Sequence, residues 1–270
     1  MTTQVDASLN GGTRTAGARL LGIQLDGLTN EQVLDRIRDG MRAGTGGWVV
    51  TANLDILRQA AGDRSASELI SEADIVVADG TPVVWASKLQ GTPVPERVAG
   101  SDLTWTSSQV AAEESVPVFL LGGNVGAAEG AAAQLVRQYP SLRVVGTACP
   151  EHGFEQDPRR MKELVDAVCD SDARLVLVGL GFPKQERMIR ELRRLHPAAW
   201  YVGVGISFSF VTGELRRAPR WMQRAGLEWV HRMVQEPRRL THRYVWQDLP
   251  FAARLLAVAL RCRVAGRRSS

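Results

Sequence analysis

Six short apolar runs, each ending in glycine or a small polar residue, most constrain what this chain can fold into. They are rich in β-branched and aromatic residues, and the segments between them place apolar side chains three and four residues apart, as amphipathic helices do. Because each run is continuously apolar rather than alternating, both faces of its strand should be covered. The runs are GWVVTAN, ADIVVADG, VPVFLLGG, LRVVGTAC, RLVLVGLG and AWYVGVG.

This alternation of strands and helices predicts an α/β fold with a doubly wound, largely parallel, Rossmann-like sheet. Helices are expected over residues 30–44, 124–140, 158–171 and 183–197. The 270 residues are enough to bury the core of one such domain with an extension. No run reaches the roughly 18 apolar residues of a membrane-spanning helix.

Charge is distributed unevenly along the chain. Residues 1–215 carry 20 basic and 26 acidic side chains, a net charge of −6, whereas residues 216–270 carry 13 arginines and three acidic side chains, a net charge of +10. We therefore predict a flexible polar tail over residues 1–18, an α/β catalytic domain over 19–215 and a basic helical appendage over 216–270.

The appendage interleaves its arginines with aromatic residues, which suits a surface rich in phosphates. Nucleic acid, anionic lipid headgroups and a diphosphate-bearing substrate all fit this pattern, and the structural alternative is the solvated face of a helix. Near its end, LPFAARLLAVALRCRV predicts either a helix at a membrane surface or a helix packed on the body.

Glycines and compact polar groups follow several of the six runs. In a parallel sheet, ligands bind beyond the carboxyl ends of the strands, where these residues should meet. The pattern is typical of a nucleotide or sugar-nucleotide cleft. The residues are Thr51, Asn53, Asp79, Gly80, Gly122, Gly123, Gly179 and Gly181.

Asp79 is the most suggestive single residue. A carboxylate at the end of a buried strand, followed by Gly80, Thr81 and Pro82, is either the cap of the next helix or a catalytic base. Capping is the commoner use of aspartate at such a position.

The segment GLGFPKQERMI, residues 179–189, begins like a dinucleotide fingerprint, but Lys184 stands where the third glycine should be. A nicotinamide cofactor is therefore not favoured. Pro183 fits the first turn of a helix, which places Lys184 and Gln185 beside a helix N-terminus suited to phosphate or hydroxyl groups. A plain exposed turn is the structural alternative.

No metal or cofactor is predicted. The four histidines are scattered, and the three cysteines lack the paired spacing of a zinc site or a disulfide framework. A reducing cytoplasm is the expected compartment.

Several motifs in a fixed order carry a resemblance to a known family. Over about residues 20–245 the chain resembles the WecG/TagA/CpsF glycosyltransferases, glycosyltransferase family 26. Met188 stands where many members have tryptophan, a change expected to affect packing, and the chain after Tyr244 is longer than the family pattern. The motifs are TANLDIL, ADGTPVVWASKLQG, ERVAGSDL, FLLGG, GLGFPKQERMI and GVGISFSFVTGELRRAPRWMQRAGLEWVHRMVQEPRRL.

The resemblance implies an inverting, metal-independent transferase without a cofactor. Such an enzyme moves a sugar from a UDP-sugar to a polyprenyl-diphosphate-linked sugar at the cytoplasmic face of the membrane, in cell-envelope polysaccharide synthesis. Relatives use N-acetylmannosamine, its uronic acid, glucose or glucuronic acid, so the donor sugar stays open. A homo-oligomer is also allowed.

The resemblance further implies roles for individual residues. Asp79 matches the proposed general base, and Arg97 matches the arginine of ERVAGSDL. Thr51, Asn53 and Gln185 match residues of the substrate pocket. The appendage is expected to close over the active site through Arg217, Arg232, Arg239 and Arg243.

Three alternatives come from other classes of protein. A module that only docks on anionic lipid would not need Asp79, and a nucleic-acid binder would use the same arginines, although the body carries no nucleic-acid-binding motif. A Rossmann-type oxidoreductase would bind a nicotinamide or flavin. The ordered motifs favour the transferase, with no nucleic-acid partner.

Overall fold

The computed structural model describes residue 15 and residues 17–268. The tail predicted over residues 1–18 therefore lies almost entirely outside the described residues. Ala18 is already buried in the core. Two short strands then form an antiparallel hairpin, β1 (Arg19–Leu20) and β2 (Ile23–Gln24).

The six apolar runs form one six-stranded sheet, and all of its strands are parallel. Their order is β4-β3-β8-β7-β5-β6. The predicted α/β fold with a doubly wound sheet is confirmed. The strands are β3 (Gly47–Ala52), β4 (Ile75–Ala78), β5 (Pro117–Gly122), β6 (Arg143–Ala148), β7 (Leu175–Gly179) and β8 (Trp200–Gly203).

Both faces of the sheet are covered, as continuously apolar strands require. Along β3, Trp48 and Val50 pack into one hydrophobic cluster while Val49 packs into another on the opposite face. Successive side chains of a strand point to opposite faces, so each strand contributes to both clusters.

Nine helices of the body flank the described sheet, and local signals set several of their ends. The first begins at a capping box between Thr29 and Gln32 and ends at Gly44 in the left-handed conformation. The helices are α1 (Asn30–Ala43), α2 (Leu54–Gly62), α3 (Arg64–Ser71), α4 (Thr81–Gln90), α5 (Gly100–Glu113), α6 (Ala127–Gln138), α7 (Pro158–Cys169), α8 (Lys184–Leu195) and α9 (Ser207–Thr212).

The appendage is helical over most of its described length. A π-helical turn over His242–Asp248 precedes its last helix, and no helix of the described chain is long and apolar enough to span a bilayer. The helices are α10 (Arg220–Arg224), α11 (Glu228–Gln235), α12 (Pro237–Thr241) and α13 (Leu249–Arg268).

The last helix packs on the body. Phe251, Leu255 and Ala259 recur every four residues, and all three are buried in the same cluster as residues of α4. The segment LPFAARLLAVALRCRV is predicted from its sequence to lie either at a membrane surface or on the body. For the face that carries Phe251, Leu255 and Ala259, packing on the body is correct. The opposite face exposes Arg254 and Leu260.

Candidate active site

A cavity of about 520 Å³ lies beyond the carboxyl ends of the strands, with the appendage forming part of its wall. Of the predicted site residues, all within the described chain, only Gly122 and Arg217 are not in this wall. The structure thus brings together residues far apart in sequence. The wall includes Thr51, Asn53, Asp79, Gly80, Arg97, Gly123, Gly179, Gly181, Lys184, Gln185, Arg232, Arg239 and Arg243.

Asp79 directly follows β4 and does not cap the helix after it. The N-cap position of α4 is Gly80, with φ of 105°, and no side chain in the described ranges caps that helix. The Asp79 carboxylate instead interacts with the backbone N–H of Gly100, the first residue of α5. The capping interpretation of Asp79 on α4 is therefore wrong.

The surroundings of Asp79 act on its pKa in opposite directions. Their net effect raises the pKa to about 6: burial raises it most, the nearby Arg97 guanidinium lowers it, and the Glu228 carboxylate raises it. The carboxylate is thus ionised at neutral pH with a pKa not far below it. These are the properties of an efficient general base.

Two arginines and two carboxylates join the body to the appendage beside Asp79. Nη1 of Arg97 donates to Oε2 of Glu228 at 2.6 Å. Arg217 binds both carboxylate oxygens of Asp102, with Nη2 to Oδ2 at 2.9 Å. Arg217 therefore anchors the appendage to α5 without lining the cavity.

A second network of the same composition lies at another part of the wall. Nη2 of Arg243 lies 3.0 Å from Oδ2 of Asp55, and its Nε lies 3.4 Å from Oδ2 of Asp248. Arg58 binds the other oxygens of the same two carboxylates, at 2.5 and 3.2 Å. This network ties the π-helical turn to α2.

Arg232 and Arg239 leave a local excess of positive charge in the wall. They share the carboxylate of Glu236, at 3.9 Å from Nε of Arg232 and 2.9 Å from Nη2 of Arg239. The Arg232 guanidinium also lies 5.9 Å from the ring centre of Phe210. This part of the cavity is suited to an anionic ligand.

Three predicted pocket residues also hold the backbone of the cavity wall. The Thr51 hydroxyl donates to the Gly203 carbonyl at 3.2 Å, and Oδ1 of Asn53 accepts from the N–H of Ile56 at 3.0 Å as the N-cap of α2. Oε1 of Gln185 accepts from the N–H of Gly205 at 3.0 Å. Their side chains therefore shape the wall as well as facing the cavity.

The glycines at the strand ends have two different uses. A Cβ on Gly122 would lie 2.6 Å from the carbonyl of Gly179, so glycine is needed for β5 and β7 to approach closely. Gly181 lies in the wall with φ of 75°, a conformation that favours glycine. Lys184, beside it, forms an ion pair with Glu155.

Six carboxylates of the site were not singled out from the sequence. Four of them lie in motifs quoted for other residues, and the remaining two, Glu151 and Asp248, lie outside those motifs. The four are Asp55 in TANLDIL, Asp102 in ERVAGSDL, Glu186 in GLGFPKQERMI and Glu228 in the segment that begins GVGISFSF.

The parallel sheet and the cavity at its carboxyl edge, where arginines of the body and the appendage lie in the same wall as Asp79, define an α/β protein with a site suited to a phosphate-bearing ligand. The model of the glycosyl transferase WecG/TagA/CpsF family matches residues 18–265. The chain belongs to this family and is a glycosyltransferase of cell-envelope polysaccharide synthesis.

The sequence suggests two departures from the family pattern, the long chain after Tyr244 and the methionine at position 188. The family match extends to residue 265, so most of the chain after Tyr244 belongs to the family region instead of being an addition to it. Met188 is 1% exposed and lies in the core, where a change of residue affects packing.

Within the described chain, no group of three or more His, Cys, Asp or Glu side chains is arranged as a metal site.

Proposed function

We propose that the protein transfers a sugar from a UDP-sugar to a polyprenyl-diphosphate-linked sugar, with inversion and without a metal ion, at the cytoplasmic face of the membrane. One observation carries this proposal: Asp79, with a pKa of about 6, shares a cavity with Arg97 and with three arginines of the appendage. The family supports the nucleotide-sugar donor and the sugar acceptor only as classes.

The chemistry is a single displacement. The Asp79 carboxylate accepts the proton of the acceptor hydroxyl as that oxygen bonds to the anomeric carbon of the donor. The bond from this carbon to the diphosphate oxygen breaks, and its electron pair leaves with UDP. Attack opposite the leaving group inverts the anomeric configuration.

The departing diphosphate requires positive charge. Arg97, Arg232 and Arg239 line the cavity, and arginine binds phosphate oxygens through two parallel hydrogen bonds. The positive end of the α8 helix dipole lies in the cavity wall at Lys184 and adds to this charge. These cations support a reaction in which no metal neutralises the leaving group.

The decisive experiment measures UDP release from a panel of UDP-sugars, with a short-chain polyprenyl-diphosphate N-acetylglucosamine acceptor and EDTA present. We expect acceptor-dependent release from one donor and a loss of about 100-fold or more in Asp79→Asn. Asp35→Asn, on the outer face of α1, is the control and should keep full activity.

Each result has a defined meaning. Release that requires an added divalent cation would contradict metal independence, and a fully active Asp79→Asn would remove the base from the mechanism. If a UDP-sugar reacts only with another acceptor, the lipid-linked acceptor is wrong while the donor class stands.

A further inference from the structure

Glu228 places its carboxylate between two arginines. Oε2 accepts from Nη1 of Arg97 at 2.6 Å, and Oε1 lies 3.7 Å from Nε of Arg217. Each oxygen thus faces a different guanidinium. Glu228 is the first residue of α11 and lines the same cavity as Asp79.

Anchoring of the appendage does not require this carboxylate. Arg217 already binds both oxygens of Asp102. Arg97, by contrast, lies 3.9 Å from Asp102 and 3.5 Å from Oε1 of Gln223. Glu228 is therefore its short ionic contact, and it neutralises a cation that faces the cavity.

A carboxylate bridging two guanidinium groups resembles a phosphate group in charge and in hydrogen-bonding geometry. The side chain of Glu228 is 26% exposed and that of Arg97 is 21% exposed, so solvent reaches both groups. A diphosphate carries more negative charge than one carboxylate and offers arginine the same paired oxygens, so it can replace the carboxylate on Arg97.

We propose that Glu228 is an internal competitor for Arg97: the diphosphate of a substrate takes its place, and the carboxylate returns to Arg97 when the diphosphate leaves. No covalent bond changes in this exchange. The inference rests on the proposed function, because it requires a diphosphate in the cavity. Both the nucleotide donor and the lipid-linked acceptor carry that group.

The test is the binding of two diphosphates to the full chain by calorimetry, UDP in one titration and farnesyl diphosphate in the other. Glu228→Gln should lower the Kd of the diphosphate that Arg97 binds by about three- to tenfold, because the amide no longer competes as an anion. If the Kd of UDP falls, the diphosphate comes from the nucleotide donor. If the Kd of farnesyl diphosphate falls, it comes from the lipid-linked acceptor.

Glu114→Gln is the matched control. The Glu114 carboxylate also lies between two arginines, with Oε1 2.6 Å from Nη2 of Arg42 and 3.5 Å from Nε of Arg38, but none of the three lies in the cavity wall. This variant removes the same charge without freeing Arg97 and should keep the wild-type Kd within about twofold.

A double variant links the effect to Arg97. In an Arg97→Gln background, Glu228→Gln should no longer tighten binding, because the shared cation is gone. Glu228→Asp keeps the charge but shortens the side chain, and it should tighten binding less than Glu228→Gln. This second substitution also tests the exchange if the first one perturbs folding.

Two results would overturn the inference. If wild type binds either diphosphate and Glu228→Gln binds both equally or more weakly, Glu228 positions Arg97 instead of competing for it, and the proposed function stands. If neither diphosphate binds to wild type or to any of the variants, the proposed function fails together with this inference.

Discussion

A cation and an anion near Asp79 act on its pKa in opposite directions. Arg97 stabilises its ionised form, whereas burial and Glu228 stabilise the protonated form. These neighbours of opposite charge thus set the pH at which a base can work here. Substitutions of the two neighbours should shift that pH in opposite directions.

The pH dependence of kcat/KM tests this arrangement. For wild type we expect kcat/KM to fall about tenfold per pH unit below about pH 6, where Asp79 becomes protonated. Glu228→Gln should move this limb to lower pH and Arg97→Gln to higher pH. If the acid limb of the profile stays at the same pH in both variants, a group other than Asp79 causes it.

Glu186 is a second buried carboxyl group, and it supports the site indirectly. It is fully buried, Oε1 accepts from Nε2 of Gln185 at 2.9 Å, and Oε2 has no hydrogen-bond partner among the described residues. Burial raises its pKa to about 7. The pair Gln185 and Glu186 thereby holds the Gly205 backbone at the cavity wall.

Glu186→Gln should stabilise the protein at alkaline pH. The unfolded chain releases this proton near pH 4.5 and the native state near pH 7, so the free energy of unfolding falls as pH rises between these values. The variant has no carboxyl group to titrate and does not lose this stability. Its free energy of unfolding should exceed that of wild type by up to about 3 kcal/mol at pH 8 and equal it near pH 4.5.

Urea unfolding at both pH values measures the difference. The control on the same helix is Glu191→Gln, since a hydrogen bond from Arg194 lowers the pKa of Glu191. That variant should show no gain at pH 8. Equal stability of wild type and Glu186→Gln at both pH values would mean that Glu186 does not titrate in this range.

Among the elements, α13 has one face buried in the core and another exposed. Its inner face packs Leu255 against the body, whereas Leu260 on the outer face is 49% exposed. The helix therefore belongs to the core even though its sequence alone is equally suited to a membrane surface. Its outer face stays available to another surface.

Two leucine truncations on this helix separate the faces. Leu255→Ala should lower the free energy of unfolding by about 2–4 kcal/mol, because it leaves a cavity in the core. Leu260→Ala should change it by no more than about 0.5 kcal/mol. Denaturant titration measures both, and equal effects would show that α13 does not pack as described.

Over the whole molecule, the appendage brings positive charge to the cavity and to the outer surface. Arg254 and Arg261 are exposed on α13 together with Leu260. Arginines beside exposed apolar side chains suit the surface of an anionic membrane, where a lipid-linked acceptor would be held. We therefore propose that the appendage connects the lipid-linked acceptor to the active site.

Charge reversal tests membrane association. Arg254→Glu with Arg261→Glu should weaken co-sedimentation with anionic vesicles at 0.1 M salt about tenfold or more, since each arginine contributes about 1 kcal/mol. Arg64→Glu with Arg137→Glu makes the same charge change on exposed helices of the body and should have little effect. If both double variants lose the same amount of vesicle binding, the net charge of the protein accounts for the binding and α13 has no special role.

The sequence by itself determined the strands, several helices of the body and the edge where the site lies, because apolar runs and helical spacing are local properties of the chain. The parallel sheet then brings the ends of these strands together, so the positions of Thr51 and Asp79 followed from their places after β3 and β4.

Only the tertiary structure decided what those side chains contact. It showed that Asp79 faces α5 instead of capping α4, and that α13 turns Leu255 inward. It also paired Arg97 with Glu228, 131 residues away. Such pairings depend on the strand order and on the return of the appendage over the sheet, and no local pattern in the sequence encodes either of them.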